Sequence, residues 1–264
     1  MNILISSILF PPDGIGNMHD LLKAADDPEI GVEVFPFWQL TRFENILKAN
    51  LPLLQGRRIV FHSQYQCTDP CFPIGTPEYD VSMKYYNSTF TYAKMLGAAY
   101  IVFHYYNFHF DISEREEKLK VATKNLGILK SLARGFGLKL AIENTEITRD
   151  GCYMFTEDSF IQMARSTPDC HILIDIGHAN CAGWDLSRVI RELSDKIVGY
   201  HLHNNNGMED SHCRILDGTL DMDRFMQDFC LYTPGADLTI EYSPDLTWDT
   251  KDICEDINFL KRYA

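Results

Sequence analysis

The chain has 264 residues, 45% of them hydrophobic and 23% charged, with a formal net charge of -13. That length suits one large domain over 1–264 with a full core, and no apolar stretch reaches the length of a membrane span. The acid excess, with no Lys/Arg cluster, disfavours a nucleic-acid partner and favours a small-molecule substrate.

In chain order, short apolar runs alternate with helical patterns. NILISS (2–7) reads as a first strand, because the start lacks the basic segment of a signal peptide. GIGN at 14–17 lacks the full glycine pattern of a dinucleotide loop and reads as a loop. A helix is predicted over 18–26, then a strand at GVEVFPF (31–37), a helix over 40–50 and a strand at RRIVFH (57–62). Cys67 and Cys71 follow in a Pro-rich loop; C-x3-C spacing reads as a plain thiol pair ahead of a metal site. The next helix is predicted over 82–96 and the next strand at AYIVFH (99–104). The clearest helix covers 113–134, with Ser113 and Glu116 at capping-box spacing and Gly135 as a stop. LKLAIE (138–143), a helix over 157–166, HILIDI (171–176), a helix over 185–194, IVGYHL (197–202), a helix over 221–230, DLTIEY (237–242) and a helix over 249–262 complete the series.

The strand runs mostly lack apolar/polar alternation, as expected for strands buried on both faces of a parallel sheet. Eight strands, each followed by a helix, predict a (β/α)8 TIM barrel, with a doubly wound open sheet as the alternative. The eight cysteines form no C-x-x-C pair and read as reduced thiols of a cytoplasmic protein.

His62, His104, Glu143, Asp175, His178, His201, Asp210, His212 and Glu241 all lie at or just beyond the ends of these apolar runs. In a parallel barrel those ends form one mouth, where functional residues gather. A lone histidine there reads as a hydrogen-bonded structural residue. Nine such residues at one rim point instead to a metal site. Imidazole and carboxylate donors without thiolate suit a divalent ion, Zn, Mn, Co or Fe, with Mg at an oxygen-rich subsite. Glu143, Asp175, His201 and Glu241 would hold one ion. His62 and His104, bridged by Glu143, would hold a second, and His178, Asp210 and His212 a third, giving one to three ions. Tyr65 and Trp184 are among the loop aromatics that would stack on a sugar face, against plain rim packing as the alternative.

AIENTE (141–146), DIGHANCAGWD (175–185), YHLHNNNG (200–207) and the D-S-H of 210–212 resemble the xylose-isomerase-like TIM-barrel superfamily across essentially the whole chain. That superfamily includes sugar-phosphate isomerases and epimerases, and the endonuclease IV class of abasic-site nucleases. The resemblance implies that the nine residues above are metal ligands. It also shows departures. His201-Leu202-His203-Asn204 is closer to the H-L-H-D-N of the isomerase branch than to the H-L-N-D of the nuclease branch, with Asn204 in place of an acid. Leu216-Asp217-Gly218 stands where the family has Gly-Glu-Gly.

Two functions follow. A sugar or sugar-phosphate isomerase or epimerase would move a proton next to a carbonyl, with Glu143 and Glu241 as base and acid, and His178 and Arg214 holding substrate oxygens. Arg214 reads equally as an ordinary surface arginine. The alternative is a multinuclear-zinc phosphoester hydrolase. The sugar, the metal and the oligomeric state, a homo-oligomer included, stay open.

Overall fold

The computed structural model describes residues 1–10, 13–145, 151–245 and 249–264. Glu146, the last residue of AIENTE, lies outside them. Eight strands pair in sequence order and close on themselves, every neighbour parallel: β1 (Asn2–Ser6), β2 (Gly31–Val34), β3 (Ile59–His62), β4 (Ile101–Phe103), β5 (Leu140–Glu143), β6 (His171–Asp175), β7 (Ile197–Leu202) and β8 (Asp237–Ile240). This is the (β/α)8 barrel that the alternation predicts.

The pleat explains both the apolar runs and the site. Successive side chains on a strand face opposite sides. Ile5, Val32, Phe61, Ile101, Phe103, Ile142, Ile172 and Ile174 point outward and share one core with the helices. Leu4, Val60, Tyr100, Val102, Ala141 and Leu173 form a separate apolar layer inside the barrel. Both faces are apolar, so alternation is hidden in the sequence. Two residues further along, on the same inward face, come Ser6, His62, His104, Glu143 and Asp175. The candidate ligands are thus the next inward level above an apolar plug.

The helices are α1 (Met18–Ala25), α2 (Phe43–Leu54), α3 (Pro77–Met95), α4 (Arg115–Phe136), α5 (Glu157–Ser166), α6 (Ile176–Cys181), α7 (Leu186–Glu192), α8 (Met222–Tyr232) and α9 (Thr250–Lys261). GIGN forms a 3-10 turn. Helix α3 starts earlier than the apolar pattern shows, because Thr76 caps it and Pro77 occupies its first turn. The capping box before α4 is formed by Asp111 and Glu114 around a 3-10 turn, not by Ser113 and Glu116. That helix also passes through Gly135 and ends at Gly137, whose φ of 78° is the left-handed conformation glycine adopts freely. Among the described residues no helix is long and apolar enough to cross a membrane. Cys67 is exposed and Cys71 buried, and the two form no disulfide.

Candidate metal centre

A cavity of about 460 Å³ opens at the C-terminal ends of the strands. Its floor is His62, His104, Glu143, His178, Asp210, His212 and Glu241, and its walls include Phe35, Tyr65, Tyr106 and Tyr242. Asp175 and His201 lie beneath this floor, both fully buried. The nine sequence candidates therefore meet in one place.

Their donor atoms fall into neighbouring groups, each within 4.8 Å: His62, His104 and Glu143; Glu143, Asp175 and His201; Glu33, His201 and Glu241; and His178, His203, Asp210 and His212. Glu143 joins the first two. One oxygen lies 2.8 Å from His104 Nε2 and 3.6 Å from His62 Nε2, and the other 3.3 Å from His201 Nδ1. Glu241 places an oxygen 3.2 Å from the same His201 nitrogen.

The imidazoles are aimed from outside. His62 Nδ1 donates to the carbonyl of Ser63 at 2.7 Å, His178 Nδ1 to that of Asn144 at 2.9 Å and His212 Nδ1 to that of Glu241 at 2.9 Å. Each bond leaves Nε2 turned to the site, the usual arrangement behind a metal-ligating histidine. His201 is reversed: its Nε2 donates to Glu33 at 2.9 Å and its Nδ1 faces inward. Asn144 fixes the backbone of Asp175 from both sides, donating to its carbonyl at 2.9 Å and accepting its N–H at 2.8 Å. Asp175 in turn caps α6 by accepting the N–H of His178 at 2.7 Å. His178 is therefore a residue of a short helix that lies between the predicted strand at 171–176 and the predicted helix at 185–194.

Charge dominates the site. Burial disfavours protonated imidazole, but the carboxylates of Asp175 and Asp210 hold His178 well above its ordinary value. His201 is likewise raised, against its burial, by Glu241, Glu33 and Glu143. Burial would raise the Asp210 and Glu143 carboxyls, yet the neighbouring histidines, His178 and His104 foremost, pull them down. Asp210 Oδ1 has no hydrogen-bond partner although it is buried. Buried carboxylates faced mainly by imidazoles, with an orphaned oxygen among them, are a donor set that a divalent cation would satisfy. His212 adds backbone strain, its φ of 45° being rare for a residue with a side chain.

Two residues of this centre are not among the nine, one inside a strand and one directly after β7. Glu33 lies inside the apolar run of β2 and is fully buried. An acid in a buried run requires a partner, and that was the available clue. His203 follows His201 by two positions, hence on the same face of the chain, and binds Asp175. The other candidates differ in place. Tyr65 is at the mouth, 41% exposed. Trp184 packs against Phe160 with ring centroids 5.5 Å apart and does not line the cavity. The Arg214 guanidinium is taken up by α9, binding both oxygens of Asp256 at 2.9 Å and Asp252 Oδ1 at 2.6 Å. Asn204 donates to the carbonyl of Ile215 at 2.8 Å and accepts the N–H of Leu220 at 3.0 Å, tying the loop after β7.

The fold and the convergent side chains define a TIM barrel with a polar, histidine- and carboxylate-lined centre at its C-terminal mouth. The chain belongs to the xylose isomerase-like TIM barrel family, whose model matches residues 19–263. Among solved structures it is similar to a D-tagatose 3-epimerase-like protein, with a TM-score of 0.80 and 19% identity over 100% of this chain and 97% of that one. It is also similar to the 3-keto-D-glucoside 4-epimerase YcjR of E. coli (TM-score 0.74, 15% identity, 99% of each chain). A third likeness is to the IOLI protein with a bound zinc atom (0.74, 14% identity, 99% and 96%). At these identities the likeness is one of fold. Uncharacterized protein MJ1614 of Methanocaldococcus jannaschii is 28% identical over 150 residues, 56% of this chain and 57% of that protein. Uncharacterized protein MJ1311 of the same organism matches over only 33% of its length.

Proposed function

We propose that this protein is a metal-dependent sugar isomerase or epimerase that moves a proton on a carbon beside a carbonyl. The observation that carries the proposal is the pair Glu143 and Glu241. Both line the cavity, and their carboxylates converge on His201 Nδ1 at 3.3 and 3.2 Å. Glu143, Asp175, His201 and Glu241 would hold a divalent ion, which when bound holds neighbouring substrate oxygens and stabilises negative charge between them. Glu143 and Glu241 each have a second role, one taking the proton from carbon and the other returning it. The aromatic walls suit the C–H face of a sugar. The sugar epimerases among the fold neighbours support this reading by analogy.

The adjacent His178, His203, Asp210 and His212 group favours one alternative, a multinuclear phosphoester hydrolase. The test is a panel of ketoses and ketose phosphates incubated with zinc-, manganese- or cobalt-loaded protein and followed by NMR. A new epimer or aldose supports the proposal. Phosphate release, or cleavage of an abasic duplex, with no sugar interconverted, reverses it.

A further inference from the structure

We infer that Glu33 is the positioning residue that decides which nitrogen His201 offers to the centre. The inference rests on the reading of His201 as a metal ligand. His62, His178 and His212 are aimed by backbone carbonyls, which no substitution removes. His201 alone among these four is aimed by a side chain, through its Nε2 at 2.9 Å from Glu33 Oε2.

The carboxylate is well placed for this. Glu33 lies on the inward face of β2 and is fully buried, as is His201. Its second oxygen accepts the hydroxyl of Ser6, on β1, at 2.8 Å. One oxygen is thereby occupied, and the other is left for the imidazole across the barrel. A neutral imidazole carries one proton, and the acceptors around it decide where it sits. With Glu33 present, a His201 ring that yields one proton to a metal keeps the other on Nε2 and offers Nδ1, the nitrogen between Glu143 and Glu241. Without that acceptor, the remaining acceptors are Glu143 and Glu241 themselves, at 3.3 and 3.2 Å from Nδ1. The proton then moves to Nδ1 and closes the position a metal would use. Glu33 touches neither substrate nor reacting atoms in this scheme.

The test uses protein with ¹⁵N-labelled histidine, loaded with zinc alone. Long-range ¹H–¹⁵N spectra report which ring nitrogen carries the proton, and chelator competition reports affinity. Wild-type protein should show His201 protonated on Nε2 with zinc on Nδ1. Glu33→Leu should weaken zinc on the order of 10- to 100-fold, the usual effect of losing a ligand's orienting partner. Glu33→Gln keeps an acceptor oxygen and should retain both the Nε2 proton and most of the affinity. A Glu33→Leu protein with unchanged zinc affinity and an unchanged His201 pattern overturns the role of Glu33 alone. Failure of wild-type protein to take up zinc overturns the metal reading and this inference with it. If Glu33→Leu does not fold, the wild-type spectrum decides: zinc on Nε2 and the proton on Nδ1 contradicts the inference.

Discussion

His203 grips Asp175 through both carboxylate oxygens, its Nε2 lying 2.9 Å from Oδ1 and 3.0 Å from Oδ2. The ring reaches that position by lying flat between His212, stacked on it at 3.7 Å, and the bare backbone of Gly177. A Cβ at residue 177 would sit 2.0 Å from one ring carbon and 2.3 Å from Nδ1.

Gly177→Ala should therefore cost about 1–3 kcal/mol by overpacking and loosen the hold on Asp175. Denaturant unfolding measures the loss. Adding His203→Ala should make the second substitution cheaper than it is alone, since the clash is with that ring. Additive costs would show that the ring can step aside.

Arg214→Ala should destabilise the protein by about 2–3 kcal/mol, because Asp256 keeps a fully buried carboxylate after losing its two charged hydrogen bonds. Zinc stoichiometry should stay at the wild-type value, since the guanidinium is engaged by α9. A loss of bound zinc with unchanged stability would place Arg214 in the site after all.

The strands and the cluster of nine candidate residues were legible because six of the eight apolar runs meet an acid or imidazole at their ends, as in RIVFH and LKLAIE. Parallel strands covered on both sides read as apolar throughout, which marks their location but hides which residues face inward. Glu33 was lost in that way, in the middle of GVEVFPF, and its role follows only from a partner 168 positions away. The boundaries of α4 were misread because two overlapping box patterns and two glycines, Gly135 and Gly137, compete locally. Tertiary packing lets the helix run through the first glycine. Arg214 was ambiguous because its partners, Asp252 and Asp256, belong to the last helix.

Metal uptake should strengthen with pH. In the metal-free protein burial lowers the His212 pKa, but the hydrogen bond and charge of Asp210 raise it to about 9 from 6.5. A metal must displace that proton, so zinc affinity at His178, Asp210 and His212 should rise between pH 6 and about 9. Stability of the metal-free protein should run the other way. The contribution of His212 is complete below 6.5 and is lost as pH rises through about 9. Burial raises the Glu241 carboxyl, yet the charge of His201 brings it down to about 2 from 4.5, so its contribution is complete above 4.5 and is lost toward 2. Thermal unfolding of metal-free protein should peak between pH 4.5 and 6.5. A metal-free Tm that climbs steadily to pH 9 would contradict this charge arrangement.

Asp175→Ala and Glu143→Ala should each lower the metal content of the Glu143/Asp175/His201/Glu241 group without abolishing expression, since both side chains belong to the inward polar level and not to the apolar layer below it. Elemental analysis after dialysis checks this. Full occupancy in both variants would remove these residues from the ligand set.

Proton transfer at carbon is tested most directly by solvent exchange. Metal-loaded protein incubated in deuterated water with a ketose that it converts should place deuterium on the carbon beside the carbonyl, because the base faces an open mouth and exchanges its proton with solvent. Glu241→Gln should abolish this exchange while keeping most of the metal, since an amide oxygen remains a ligand but cannot accept the proton. Carbon-bound deuterium in wild type, and none in Glu241→Gln at equal metal content, is the expected result. Product formation without carbon-bound deuterium, or cleavage of a phosphoester with no exchange on any sugar, would contradict it.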